Sequence, residues 1–329
     1  MPAVTAENLL ILPRLANPAP EANIRPVRTI VSAPRQMEGA GFEVRRPFPG
    51  LLRPEHTDPF LLLDHFGPAE YGPGEAKGAP WHPHRGFETV TYMLDGAIQH
   101  HDSAGGGGVI SDGDTQWMTA GAGLLHDELP TDAIIQKGGL VHGTQLWVNL
   151  PPELKMTPPR YQDIGRDRVL LVASADGGAL VRLIAGNLGE HDGPGTTWTP
   201  ITFAHASVSP GAQLRLGWRP DFNAMAYVLS GNGLVATGQE IGGTAPAYSR
   251  PLREGQLALF GPGDAVGIEA DLVQDERSPK LEVLLLGGAP IGQPVVFYGP
   301  FVMNTDDEIR QALQDYRSGR MGTIPVIKN

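Results

Sequence analysis

Apolar residues in this chain come in short runs separated by turn signals. In the first half such runs fall at 41–46, 59–63, 89–94, 108–110, 116–118 and 143–150. In the second half they fall at 169–173, 180–185, 212–216, 226–229, 256–260 and 280–287. Many short strands at fairly even spacing predict an all-β chain built as a sandwich or barrel. One segment breaks the pattern. After Asn304, Thr305 is followed three residues later by Glu308, a capping-box signature. Ile309, Ala312, Leu313 and Tyr316 then form one apolar stripe at helical spacing, and Gly319 is a stop signal. The pattern predicts a helix over about 305–318 that packs its stripe on a sheet.

The strand pattern also repeats. "YMLDG" (Tyr92 to Gly96) returns as "YVLSG" (Tyr227 to Gly231), 135 residues later. Each copy is followed by a Gly-rich stretch and a turn, so two β units of about 130 residues each are expected. We divide the chain into a Pro- and Ala-rich extension, 1–27, a first unit, 28–165, and a second unit, 166–329, that ends in the helix. The extension is expected to be flexible or loosely docked.

Composition narrows the function. The 329 residues include 43 Gly and 31 Pro, which punctuate apolar runs rather than form a low-complexity tract. The formal net charge of −11 argues against direct binding to nucleic-acid phosphates or to an anionic membrane surface. The absence of cysteine excludes disulfides, thiolate catalysis and Cys-based metal sites. No run of 18 apolar residues and no basic leader precede the β pattern, so a soluble, cytoplasmic, monomeric protein is expected.

The candidate chemistry lies in the first unit. "WHPHRGFETVTYMLDG" begins at Trp81 and places His82 and His84 two residues apart. Pro83 disfavours a helical His82, and on an extended chain residues i and i+2 face the same way. A second pair, His126 and Glu128, stands in "AGAGLLHDELP" with Asp127 pointing oppositely. Three imidazoles and one carboxylate suit a borderline divalent metal such as iron, manganese, nickel or zinc. Four such ligands leave positions open for water, dioxygen or substrate. Aligned through the repeat, His82 and His84 fall on Gly217 and Arg219, and His126 and Glu128 on Ile268 and Ala270. The second unit therefore lacks a ligand set and is expected to be structural or a lid.

Other residues carry weaker signals. "HHDS" (His100 to Ser103) offers the types of a hydrolytic triad, but contiguous strand residues alternate faces. "AGGGGV" (Ala104 to Val109) lacks the lysine and following helix of a phosphate-binding loop and reads as a turn. His56, His65 and His142 read as surface or satisfied core residues, with His65 the best candidate to support a metal ligand. Trp81, Trp117 and Trp147 read as core or cavity wall, and Trp117 as a possible wall for an aromatic ligand.

The segments "HPHRGFETVTYMLDG", "HHDSAGGGGVISDGDTQWMTAGAGLLHDE", "DPFLLLDHFGP" and "GPFVMNTDDEIRQALQDY" together resemble the pirin family. The resemblance spans about residues 28–320 and is most specific from Asp58 to Glu128. It implies a bicupin, two stacked antiparallel β-barrels of jelly-roll type, with metal only in the first. It implies His82, His84, His126 and Glu128 as ligands and iron as the usual metal. It also implies quercetin 2,3-dioxygenase activity, which opens a flavonol ring with dioxygen and releases carbon monoxide. Two positions depart from the family pattern: Asp127, where Ser is common, and His65, where an acidic residue is expected.

Two functions follow as expectations. The first is a metal-dependent dioxygenase acting on a small aromatic substrate, with Glu128 as both ligand and catalytic base. The second is an iron-dependent redox sensor or co-regulator that binds a protein partner without turnover.

Overall fold

The computed structural model describes residues 4–6, 8–239, 246–276 and 278–324. Two large sheets dominate it. The first runs, in spatial order, Arg160–Ile164, Thr115–Thr119, Phe87–Asp95, Gly139–Asn149, Phe60–Tyr71, Phe42–Phe48 and Arg35–Glu38. The second runs Val27–Ser32, Gln256–Phe260, Asn223–Ser230, Leu281–Gly288, Ile201–Val208, Ala179–Ala185 and Leu170–Ala173. Each is accompanied by a four-stranded sheet. In the first unit this is Ala79–His84, Leu124–Pro130, Ile98–Asp102 and Gly107–Ile110. In the second it is Gln213–Gly217, Ala265–Ala270, Asn232–Gln239 and Pro246–Arg253.

The large sheets pack face to face, which explains why their central strands are buried on both sides. Along Phe87–Asp95, Val90, Tyr92 and Leu94 enter an inter-sheet core with Phe203, Met225, Tyr227 and Leu284 of the second unit. The alternate residues of the same strand face the interior of the first unit, where Phe87 touches His84 and Thr91 reaches Glu128. The period-2 geometry thus assigns one face to stability and the other to the site. Trp117 belongs to the inter-sheet core. It lines no cavity for a ligand, because its side chain shares the outward parity of Val90, with which it is paired across the sheet.

The interiors differ. The second unit is filled by one apolar cluster that includes Leu183, Ala204, Leu214, Leu216, Val235 and Ile268. The register corrects the repeat alignment. His126 is opposite His82 in the first unit, while Ile268 is opposite Leu214 in the second. The counterparts of His82 and His84 are therefore Leu214 and Leu216, not Gly217 and Arg219. Apolar side chains occupy the places of the histidines in the second unit.

Both chain ends cross over. Val27–Ser32, whose residues 28–32 the sequence assigns to the first unit, pairs antiparallel with Gln256–Phe260 and covers an edge of the second unit's large sheet. Described residues ahead of this strand are docked rather than loose. Leu15 donates its N–H to the Ala173 carbonyl at 2.9 Å, and buried Arg25 reaches the carbonyls of Gly261 and Arg219. At the other end the helix Asp306–Arg317 forms with the expected Thr305–Glu308 capping box. Its Ile309 and Ala312 pack with Phe301, Met303 and Leu125, so it sits on the first unit.

Candidate metal centre

Two adjacent strands position the imidazoles. In Ala79–His84, alternation sends His82 and His84 to one side, and the partner strand Leu124–Pro130 brings His126 directly opposite His82. The ligand nitrogens of the three lie within 4.8 Å of one another. His82 Nε2 and His84 Nε2 are 3.1 Å apart. The far side of each ring is held. His82 Nδ1 is 2.8 Å from the Pro80 carbonyl, and His84 Nδ1 is 3.3 Å from the Pro300 carbonyl. Since a carbonyl only accepts, both rings carry their proton on Nδ1 and turn the Nε2 lone pair to the cluster. His126 Nε2 is buried without a partner. Burial, and then the neighbouring imidazoles, hold His84 and His126 well below the ordinary histidine range, so both are neutral. Three converging imidazoles, one with an orphaned nitrogen, fit a divalent transition metal.

Glu128 lies on the same strand as His126 but stands apart from the three-histidine group. A register shift falls between His126 and Glu128, which places Glu128 opposite Ala79. Such a bulge re-aims a side chain. Gly78 permits the close approach, since a Cβ there would sit 2.2 Å from the Glu128 carbonyl. The Glu128 carboxylate accepts from Thr91 Oγ1 at 2.9 Å and from Gln145 Nε2 at 3.0 and 2.7 Å. Gln145 is itself oriented, because its Oε1 accepts from Trp147 Nε1 at 3.2 Å.

The site opens on a cavity of about 610 Å³, which His82, His84 and Glu128 line. Phe42, Phe66, Trp81 and Trp147 give it aromatic walls. Arg46 and Asp64 form a polar patch in the same wall, joined by two hydrogen bonds of 2.6 and 2.5 Å. An apolar pocket with a few fixed polar groups is the usual form of a small-molecule site.

Sequence reasoning missed several residues here. Gln145 and Thr91 carry no motif; they are paired on neighbouring strands of the large sheet, and only the facing of that sheet and the four-stranded one brings them to Glu128. His100 lies in "HHDS", where the alternation argument holds: His100 turns to His126, whereas His101 turns to Asp127. The support expected from His65 is not there. His65 is buried against His142 and Tyr227, at 2.8 and 3.1 Å, on the inter-sheet face. It is a satisfied core residue, because its strand parity points it away from the cavity.

Known proteins share this architecture. Residues 41–148 match the Pirin family model, and residues 203–322 match the model of the pirin C-terminal cupin domain. The chain is 40% identical over 301 residues to pirin-like protein 2 of Arabidopsis thaliana, covering 91% of this chain and 86% of that one. It is 39% identical over 299 residues to a pirin-like protein of Caulobacter vibrioides, covering 90% and 99%. The crystal structure of quercetin 2,3-dioxygenase from Acinetobacter baumannii superposes with a TM-score of 0.82 at 34% identity, covering 92% of this chain and all of that one. Among the described residues no helix is long and apolar enough to cross a membrane.

Proposed function

The chain belongs to the pirin family of bicupins, and on that premise we propose that it is a metal-dependent dioxygenase that cleaves a flavonol-like aromatic substrate. His82, His84 and His126 hold a divalent metal, iron in the first instance, and Glu128 completes the ligand set. A metal held there would supply Lewis acidity toward an enolic hydroxyl and open positions for dioxygen. The rest falls to the chain's own residues. Phe66, Trp81 and Trp147 bind the flat rings by apolar contact and exclude water. Glu128 takes the proton of the reacting hydroxyl. Its Oε1 already accepts from both Thr91 and Gln145, whereas Oε2 accepts from Gln145 alone. Oε2 is therefore the oxygen with capacity left, which would serve the metal and, when that bond loosens, the substrate proton.

The observation that carries this reading is the convergence of three imidazoles, with a fixed carboxylate two residues along the strand from one of them, beside an aromatic-lined cavity. The test is carbon monoxide release from quercetin under oxygen. Protein reconstituted anaerobically with ferrous iron should release it, and His82→Ala, treated identically, should lose both iron and release. A protein shown to hold iron that releases nothing would overturn the flavonol assignment and favour the redox-sensor reading.

A further inference from the structure

The three imidazoles are not held alike. The Nδ1 partners of His82 and His84 are carbonyl oxygens, which can only accept. The Nδ1 partner of His126 is the Nε2 of His100, at 2.8 Å, which can accept or donate. The other nitrogen of His100 lies 2.7 Å from the Tyr161 hydroxyl, again a group that can do either. His100 is buried, and its ring stacks on that of Tyr161 at an interplanar angle of 5°. Only His126, then, has a tautomer that its immediate partner leaves open.

Two neutral arrangements satisfy this chain. In one, Tyr161 donates to His100 Nδ1, His100 Nε2–H donates to His126 Nδ1, and His126 carries its proton on Nε2. That nitrogen then cannot bind a metal. In the other, His126 Nδ1–H donates to His100 Nε2, and His100 Nδ1–H donates to the Tyr161 oxygen. His126 Nε2 then offers its lone pair to the cluster. Going from the first to the second, one proton leaves His126 Nε2 at the cavity. His100 passes its Nε2 proton to His126 Nδ1 and takes the Tyr161 proton on Nδ1, and Tyr161 regains one from solvent at its half-buried position. The charge of the chain is unchanged, and the His126–His100 and His100–Tyr161 hydrogen bonds persist in both arrangements.

We propose that His100 and Tyr161 are positioning residues that set the tautomer of His126, and so decide whether the centre can take up its metal. The inference rests on the three-histidine centre proposed above, but not on the dioxygenase chemistry. Its test is the affinity of the apo full-length chain for cobalt(II), followed by the visible spectrum of the bound ion. The parent, His100→Leu, His100→Gln and Tyr161→Phe are compared, with apo thermal stability measured for each. His100→Leu should weaken cobalt binding by about 10–100-fold, the usual cost of losing an outer hydrogen bond to a ligand imidazole. His100→Gln should recover most of the affinity, because its carboxamide oxygen accepts from His126 Nδ1. Tyr161→Phe should fall between the two. Leucine and glutamine variants that bind like the parent, or that lose affinity equally and in step with apo stability, would overturn the proposal. If the leucine variant does not fold, unchanged affinity in Tyr161→Phe overturns it instead. A parent that binds no cobalt would reject the metal centre itself and this inference with it.

Discussion

At the scale of single residues, the site separates the holding of a metal from the handling of a proton. The histidines are oriented by groups behind them, two by carbonyls and one by His100. Glu128 is oriented by donors beside it. Glu128→Gln should therefore lower turnover by about 100-fold or more, the range of a lost general base. Metal content read on the same samples tells whether ligation failed as well. Gln145→Leu should also lower turnover, because Glu128 would lose two donated bonds while Trp147 Nε1 lost its acceptor. Full activity in that variant would remove Gln145 from the mechanism. His82, His84 and His126 were legible in the sequence because a period of two on a strand fixes which side chains share a face. Gln145 and His100 were not, since their roles depend on which strands lie adjacent.

At the scale of elements, the ligand strand depends on a segment more than 200 residues away in sequence. Directly after His84, buried Arg85 donates to the Ala122 carbonyl at 2.6 Å and to Asp315 Oδ2 at 2.7 Å. Asp315 lies on the C-terminal helix. Burial alone would raise its pKa, but hydrogen bonds from Arg85, Arg320 and Gln311 overcome this and bring it to about 2. Gly86 lets the C-terminal segment approach, since it has φ +89° and a Cβ there would stand 2.0 Å from the Val302 carbonyl. Asp315→Ala should cost about 3 kcal/mol, because it strands a buried guanidinium. Denaturant unfolding measures this, and a loss under 1 kcal/mol would mean that Arg85 finds another partner. The helix itself was legible from its cap and stripe. Its docking on the first unit was not, because the stripe states that a face is apolar without stating what covers it.

At the scale of the whole molecule, the two units are tied by matching polar clusters across the apolar inter-sheet core. In the first unit Arg45 is opposite His65, and His65 opposite Thr144. In the second Arg182 is opposite His205, and His205 opposite Leu284. His142 and Glu282 then occupy equivalent places, 2.8 Å from His65 Nε2 and 3.0 Å from His205 Nε2. Each cluster is completed by the repeat tyrosine of the other unit: Tyr227 at His65 and Tyr92 at His205. Burial depresses His65 well below its ordinary value and His205 to about 4, with Glu282 opposing the shift at His205. Both are neutral in the fold. Below about pH 6.5 the unfolded chain takes up protons that folded His205 refuses until about pH 4. Stability is therefore lost as pH falls through that window, by up to about 1.4 kcal/mol per pH unit for each such group. His205→Gln should flatten the dependence of unfolding free energy on pH between 6.5 and 4. An unchanged slope would place the acid sensitivity elsewhere.

The sequence by itself determined the all-β class, the two repeats, the helix and the facing of His82, His84 and His126. These follow from local rules: strand alternation, turn residues and a capping box act over a few positions. Tertiary structure alone decided that the first unit carries the aromatic-lined cavity while apolar side chains fill the matching histidine positions of the second, since that depends on which side chains from many strands meet inside. It alone decided that each end of the chain is used by the opposite unit. It also settled Trp117 as core rather than cavity wall, put His65 in the inter-sheet core rather than behind a metal ligand, and gave His100 its place behind His126. Pairing partners distant in sequence set each of these outcomes, and a period read along one strand does not contain them.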